Sequence, residues 1–170
     1  MKSFRLIALS ALITVGSVGT VVYTSCTKDE CKNVNCFNGG TCSGGTCTCP
    51  TGYTGSTCQT KAFIGTWQGT DACSPSGTYN VNIVLSASSS DTTRVLINNP
   101  GGFGTNNTIN GTLSADSKTI TYSNQIVNAS TAPDTLSGTM TLSDNTHFAH
   151  NYTAREAAAV FTCSGNYTKQ

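Results

Sequence analysis

Tyr79-Asn80-Val81-Asn82-Ile83-Val84-Leu85-Ser86 sets apolar residues at odd positions and polar ones at most even positions. A period of two is the mark of a half-buried β-strand, because successive side chains point to opposite faces of the pleat. The same period extends outward along the chain. Thr93-Arg94-Val95-Leu96-Ile97 is a shorter apolar run, and Thr119-Ile120-Thr121-Tyr122 resumes the alternation. Leu136-Ser137-Gly138-Thr139-Met140-Thr141-Leu142 and Phe148-Ala149-His150-Asn151-Tyr152 continue it. Turn formers separate these runs: Ser88-Ser89-Ser90-Asp91, Asn98-Asn99-Pro100-Gly101-Gly102, Ala115-Asp116-Ser117 and Ser143-Asp144-Asn145. With further strands over 63–70 and 159–168, residues 61–170 read as one antiparallel β domain of about eight strands. Ala154-Arg155-Glu156-Ala157-Ala158-Ala159 favours helix but is under two turns long, so it reads as a turn or strand lead-in.

Composition agrees with a mainly β fold and excludes other classes. Only 10% of the 170 residues are charged and the net charge is +1, without the basic patch that nucleic acid binding requires. Glutamate occurs only at Glu30 and Glu156, which excludes a long coiled coil. Thr, Ser, Asn and Gly dominate the polar remainder, and they suit strands and turns.

The N-terminus gives an address. Lys2 and Arg5 precede an apolar stretch from Leu6 to Val22 that ends at Tyr23-Thr24-Ser25-Cys26. A basic start, an apolar middle and small residues at the end are the parts of an export signal. Ser10, Thr14, Gly16, Ser17, Gly19 and Thr20 interrupt the stretch, which weakens a retained transmembrane helix. The last four residues resemble a bacterial lipobox, with Tyr23 where that pattern prefers Leu. The resemblance implies a signal peptide over 1–25, lipid on Cys26, and attachment to the outer membrane of the cell envelope. Lys28-Asp29-Glu30, in the short linker 26–30, resembles the acidic signal that sends some lipoproteins to the cell surface.

Nine cysteines are an odd number for an exported chain. Setting Cys26 aside for lipid leaves eight, and an oxidising compartment favours pairing them all. Cys31, Cys36, Cys42, Cys47, Cys49 and Cys58 cluster, whereas Cys73 and Cys163 lie far apart. A zinc site is disfavoured by compartment, by spacing and by the lack of a nearby His. Six cysteines alone allow fifteen pairings.

Cys36-Phe37-Asn38-Gly39-Gly40-Thr41-Cys42 and Cys47-Thr48-Cys49-Pro50-Thr51-Gly52-Tyr53-Thr54-Gly55-Ser56-Thr57-Cys58 resemble the two halves of an EGF-like module covering 31–59. That resemblance implies Cys31–Cys42, Cys36–Cys47 and Cys49–Cys58. Val34, Phe37 and Tyr53 are almost the segment's only large apolar residues, too few for a core at this size, so the bridges must supply its stability. Calcium is not expected. Asp29-Glu30 resembles part of a calcium-binding module, but Thr27 replaces an acidic residue, and Ser43-Gly44-Gly45-Thr46 carries no Asn or Asp followed by an aromatic.

Two features favour closing the β domain into a barrel. Gly65-Thr66-Trp67 resembles the Gly-x-Trp first strand of lipocalin-like barrels, where the Trp plugs one end. Cys73 and Cys163 fall near the first and last strands, which a barrel places side by side. A β-sandwich of immunoglobulin type is the alternative, although Trp67 precedes both cysteines instead of lying between them.

Chemistry is sparse. The titratable groups of the β domain are Asp71, Asp91, Asp116, Asp134, Asp144, Glu156, His147 and His150, and most of the aspartates fall in turns that explain them. His147 and His150 are three apart, so a strand points them to opposite faces. No nucleophile elbow, phosphate loop or metalloprotease helix occurs. The expectation is a non-enzyme with no cofactor, metal or catalytic residue. Asn106, Asn110, Asn128, Asn151 and Asn166 begin acceptor triplets of eukaryotic glycosylation, which a bacterial lipobox argues against, while Asp91-Thr92-Thr93 and Asp134-Thr135-Leu136 resemble a bacterial O-glycosylation signal.

Two functions follow from this reading. The first is a lipid-anchored envelope protein that displays an EGF-like stalk and a β-barrel head to a protein or glycan partner. The second is a carrier holding a small apolar ligand inside the barrel near Trp67 and Phe161, with Ile83, Leu85, Ile120 and Met140 facing inward. The ligand-binding residues themselves are not legible.

Overall fold

The structure, a computed structural model, describes residues 30–128, 133–157 and 159–170. The expected signal peptide, Cys26 and most of the linker lie outside these residues.

The N-terminal segment is disulfide-rich and carries two small sheets. β1 (Thr41–Ser43) pairs with β2 (Thr46–Thr48), and β3 (Tyr53–Thr54) pairs with β4 (Thr60–Lys61), both antiparallel. Gly44 and Gly45 make the two-residue β1–β2 turn at φ +55° and +76°, a conformation that glycine adopts without steric cost. Cys31 is bonded to Cys42, Cys36 to Cys47 and Cys49 to Cys58. Phe37 stays 44% exposed, so the bridges rather than apolar burial hold this segment.

The rest of the chain forms a closed antiparallel barrel. Its strands are β5 (Gly65–Ser74), β6 (Gly77–Ala87), β7 (Arg94–Asn98), β8 (Thr108–Leu113), β9 (Thr119–Asn128), β10 (Asp134–Leu142), β11 (His147–Glu156) and β12 (Ala159–Lys169). Each strand pairs with the next, and β12 returns to pair with β5, so no sheet edge is left open. Cys73 lies directly opposite Cys163 in that closing pair, and the two are joined by a disulfide. Within the helix-favouring patch, Ala154, Arg155 and Glu156 end β11 and Ala159 starts β12. The sandwich alternative is therefore set aside in favour of the barrel.

Several strand bounds differ from those read in the sequence. The first strand runs to Ser74 rather than Thr70, so Cys73 lies within it rather than after it. The strand beginning at Thr119 continues to Asn128. Its burial switches from even positions (Ile120, Tyr122) to an odd one (Val127), with Asn124 at φ +48° and irregular pairing between Leu136 and Gly138. A bulge of this kind adds a residue and reverses the inward phase, which ends the visible alternation at Tyr122. The alternation does not announce β8, because Gly111 occupies the inward position between Ile109 and Leu113 and breaks the apolar pattern.

The interior is filled. Trp67, Phe63, Phe148, Tyr167, Ile83, Leu85, Ile97, Ile109, Ile120, Leu136, Met140 and His150 are all essentially inaccessible. Aromatic rings form a column along the axis: Trp67 meets Phe148 edge-on at 4.7 Å, Phe148 stacks on Tyr167 at 4.8 Å, and His150 stacks on Tyr152 at 4.5 Å. Inward glycines make room for these rings. A Cβ on Gly69 would stand 2.6 Å from the Tyr167 ring, and one on Gly138 would stand 2.5 Å from Cβ of Tyr152.

The two ends of the barrel differ. At one end Phe63 and Trp67 form a plug, with the indole Nε1 donating to the Phe63 carbonyl at 2.8 Å. The disulfide-rich segment is bonded to this end. The Gly52 amide donates to Asn145 Oδ1 at 2.9 Å, Asn145 Nδ2 donates to the Tyr53 carbonyl at 2.7 Å, and Ser117 Oγ donates to the Tyr53 hydroxyl at 3.2 Å. The Lys61 ammonium also donates to the Thr92 carbonyl. The opposite, distal end holds the Cys73–Cys163 bridge and the β5–β6 and β7–β8 connections.

Candidate functional site

Strand parity carries polar side chains into the barrel as well as apolar ones. Trp67, Gly69, Asp71 and Cys73 share the inward face of β5; His150 and Tyr152 face inward from β11, Tyr167 from β12 and Tyr122 from β9. Asp71 and His150 are both fully buried. The Tyr152 hydroxyl donates to Asp71 Oδ2 at 2.9 Å, and the Tyr122 hydroxyl lies 2.6 Å from His150 Nε2. Among the described residues, Asp71 Oδ1, His150 Nδ1 and the Tyr167 hydroxyl meet no hydrogen-bond partner.

Burial decides the electrostatics of this cluster. It pushes the Asp71 carboxyl above its ordinary range, and the hydroxyls of Tyr167 and Tyr152 pull it partly back. Tyr167 exerts this pull by proximity, because its hydroxyl does not meet hydrogen-bond geometry. Burial holds His150 neutral, with its pKa down at about 3. Tyr122, Tyr152 and Tyr167 are all pushed up, first by burial and then by the Asp71 charge. The cluster is therefore a polar seam inside an apolar barrel, with His150 neutral and the Asp71 carboxyl held above its ordinary range.

Above the seam, at the distal end, lies an open pocket of about 390 Å³. Tyr79, Phe103, Phe161 and Tyr152 supply its aromatic wall, Gly101 and Gly102 one rim, the Cys73–Cys163 bridge part of the floor, and Glu156 its one charged side chain. Tyr152 connects pocket and seam: its ring lines the pocket while its hydroxyl holds Asp71. Gly101, at φ +58°, brings the β7–β8 loop so close that a Cβ there would stand 2.9 Å from the Tyr152 hydroxyl. Tyr79, 46% exposed, stands in the pocket lining, and Ile126 (57%) and Val160 (48%) are exposed on the outer face of β9 and β12.

Trp67 and Phe161, expected together around a ligand, do not share a cavity. Trp67 is sealed at the plugged end by Phe63 and Phe148, while Phe161 lines the distal pocket. Ile83, Leu85, Ile120 and Met140 do face inward, as solid core.

The remaining titratable residues sort by place. Asp91, Asp116 and Asp144 cap turns at the plugged end: Asp91 Oδ1 accepts from the Thr93 amide, Asp116 Oδ1 from the Lys118 amide, and Asp144 Oδ1 from the Thr146 amide. Their carboxyls sit below the usual range, led by the Thr93, Ser114 and Thr146 hydroxyls respectively, and Asp144 falls to about 2. Asp71 departs from the turn expectation, since it is buried in the middle of a strand. His147 is exposed and pairs with Asp144 at 2.9 Å, on the face opposite the buried His150. Among the described residues no three His, Cys, Asp or Glu side chains gather as a metal site. The parity of Asp71 with Trp67 was the available sign of its burial.

No family model matches the chain, and no curated protein matches it. Among solved structures, a redesigned β-barrel (b11L5F_LGL) is similar at 16% identity and TM-score 0.43, covering 64% of this chain and 92% of that one. The barrel EF1p2_mFAP2b bound to DFHBI is similar at 15% identity and TM-score 0.45, covering 64% and 94%. The likeness extends to barrel form and no further.

Proposed function

We propose that this chain is a lipid-anchored, non-catalytic display protein of the bacterial cell envelope. In this reading 1–25 is a signal peptide, Cys26 carries lipid, 26–30 is a linker, 31–59 is an EGF-like stalk, and 61–170 is a head that meets a protein or glycan at the outer membrane. The observation that carries it is the polarity of the head. The disulfide-rich segment bonds to the plugged end, so the pocket and the exposed Tyr79, Ile126 and Val160 lie at the end away from that segment. Exposed apolar side chains at the free end of a head favour contact with a partner. Acyl chains on one cysteine give firm attachment, since each buried CH₂ contributes about 0.8 kcal/mol.

Feeding an alkyne-tagged fatty acid to a Gram-negative host expressing the chain tests the anchor. The tag should enter the protein and be absent from Cys26→Ser. For the head, the soluble Cys26→Ser form should bind cell envelopes or a glycan array, and the triple change Tyr79→Ser, Ile126→Ser, Val160→Ser should abolish that binding at unchanged stability. A small-ligand carrier is the second reading, favoured by the pocket of about 390 Å³, within the ordinary range of ligand sites.

A further inference from the structure

We infer that the distal pocket binds a small organic cation, of the alkylammonium or quaternary ammonium class. The inference rests on the pocket alone and holds whether or not Cys26 is lipidated.

The argument begins with what lines the wall. Four aromatic residues, Tyr79, Phe103, Tyr152 and Phe161, surround about 390 Å³ of open space. The face of an aromatic ring carries negative partial charge, so several rings around one volume attract a cation. Among the described residues, Glu156 is the single charged side chain of the lining and has the same sign preference, and neither Lys nor Arg lines the pocket.

The hydrogen-bonding inventory points the same way. The Tyr152 proton is committed to Asp71 Oδ2, so this hydroxyl offers the pocket only lone pairs. The Tyr79 hydroxyl proton is committed to the Ser76 carbonyl at 3.0 Å. Asn80 Oδ1 accepts from the Thr70 hydroxyl at 2.9 Å, so this side chain offers the pocket its Nδ2 donor. The Gly102 amide is engaged by the Asn99 carbonyl and the Phe103 amide by the Pro100 carbonyl. What remains is mainly aromatic rings, lone pairs and the Glu156 carboxylate, with the Asn80 amide and the Ser76 hydroxyl as side-chain donors. An anion would find little to hold it there, and a sugar would lack most of the donors that its ring oxygens need. A cation suits the rings, the lone pairs and the carboxylate.

The wall is also held in place beforehand. The Cys73–Cys163 bridge fixes the floor, and Tyr152 is clamped between Asp71 below and the Gly101 loop above. Binding then orders few side chains, which favours affinity in a small site.

Calorimetric titration of the full chain carrying Cys26→Ser, exported and oxidised, tests this. The probes are choline, its neutral isostere 3,3-dimethylbutan-1-ol, and glucose. Choline should bind at least about tenfold more tightly than the isostere, a difference of the size that desolvated cation–π contacts and one carboxylate supply. Glu156→Gln should weaken choline severalfold and leave the isostere unchanged. Tyr79→Ala should weaken choline as well, and because Tyr79 is half exposed the variant should melt with the parent protein. Equal binding of choline and the isostere, preference for glucose, or no choline binding at millimolar concentration would each overturn the assignment.

Discussion

Replacing His150 with glutamine should change how stability depends on pH, by an amount the structure fixes. His150 is fully buried on β11, stacked on Tyr152 and bonded through Nε2 to the Tyr122 hydroxyl. Burial lowers its pKa from 6.5 to about 3. Below pH 6.5 the unfolded chain takes up a proton that the native barrel refuses until about pH 3. The unfolded state thus binds more protons throughout this window, and stability falls as the pH falls. At 1.36 kcal/mol per unit the loss from this group is about 2 kcal/mol at pH 5 and about 3 kcal/mol at pH 4. Glutamine has no such proton to bind and keeps an amide for Tyr122. The variant should therefore be less stable than the parent at pH 7.5, and the gap should narrow or reverse by pH 4.5. Asp71 acts in the opposite sense: its raised pKa favours the native state at lower pH, between its unfolded and folded values. That contribution is present in both proteins and cancels in the comparison. Urea unfolding at pH 7.5, 6.5, 5.5 and 4.5 measures the difference. Parallel profiles for the two proteins would mean that His150 titrates freely in the fold and would refute its burial as described.

Three further outcomes are expected. Cys73→Ala with Cys163→Ala opens a loop whose ends are 90 residues apart, so the barrel should lose about 4–5 kcal/mol in chemical unfolding while the N-terminal segment keeps its protease resistance. Cys36→Ser should do the reverse, exposing 31–59 to limited proteolysis and leaving barrel unfolding unchanged, because the segment has almost no core of its own. Gly138→Ala places a methyl against Cβ of Tyr152 and near the Tyr122 hydroxyl, so it should cost about 1–3 kcal/mol in the same unfolding assay.

Much of the barrel was legible because its strands alternate. Val81, Ile83 and Leu85 announce an inward face directly, and the places of Cys73 and Cys163 near the first and last strands pointed to closure. The pattern failed where the fold uses something other than a large apolar residue. Gly111 hid β8, and the bulge near Asn124 hid the second half of β9. The polar seam was hidden for a different reason. Asp71, Tyr122, His150, Tyr152 and Tyr167 have inward parity on four strands, but parity does not say which residues meet at one height. That depends on register, fixed here by pairs such as Gly165 with Asp71 and His150 with Gly165. The distal pocket needs register and loop shape together, since Gly101, Gly102 and Phe103 reach it from the β7–β8 loop.

The most direct test of a filled barrel that acts through its distal rim is the emission of Trp67, the single tryptophan of the chain. Trp67 is sealed between Phe63 and Phe148 at the plugged end, with its indole bonded to the Phe63 carbonyl. Titrating the oxidised Cys26→Ser protein with long-chain fatty acids, a retinoid and haem should leave the wavelength of its emission maximum unchanged and produce no saturable quenching. A saturable shift or quench at micromolar ligand would put cargo inside the barrel beside Trp67 and contradict the filled interior.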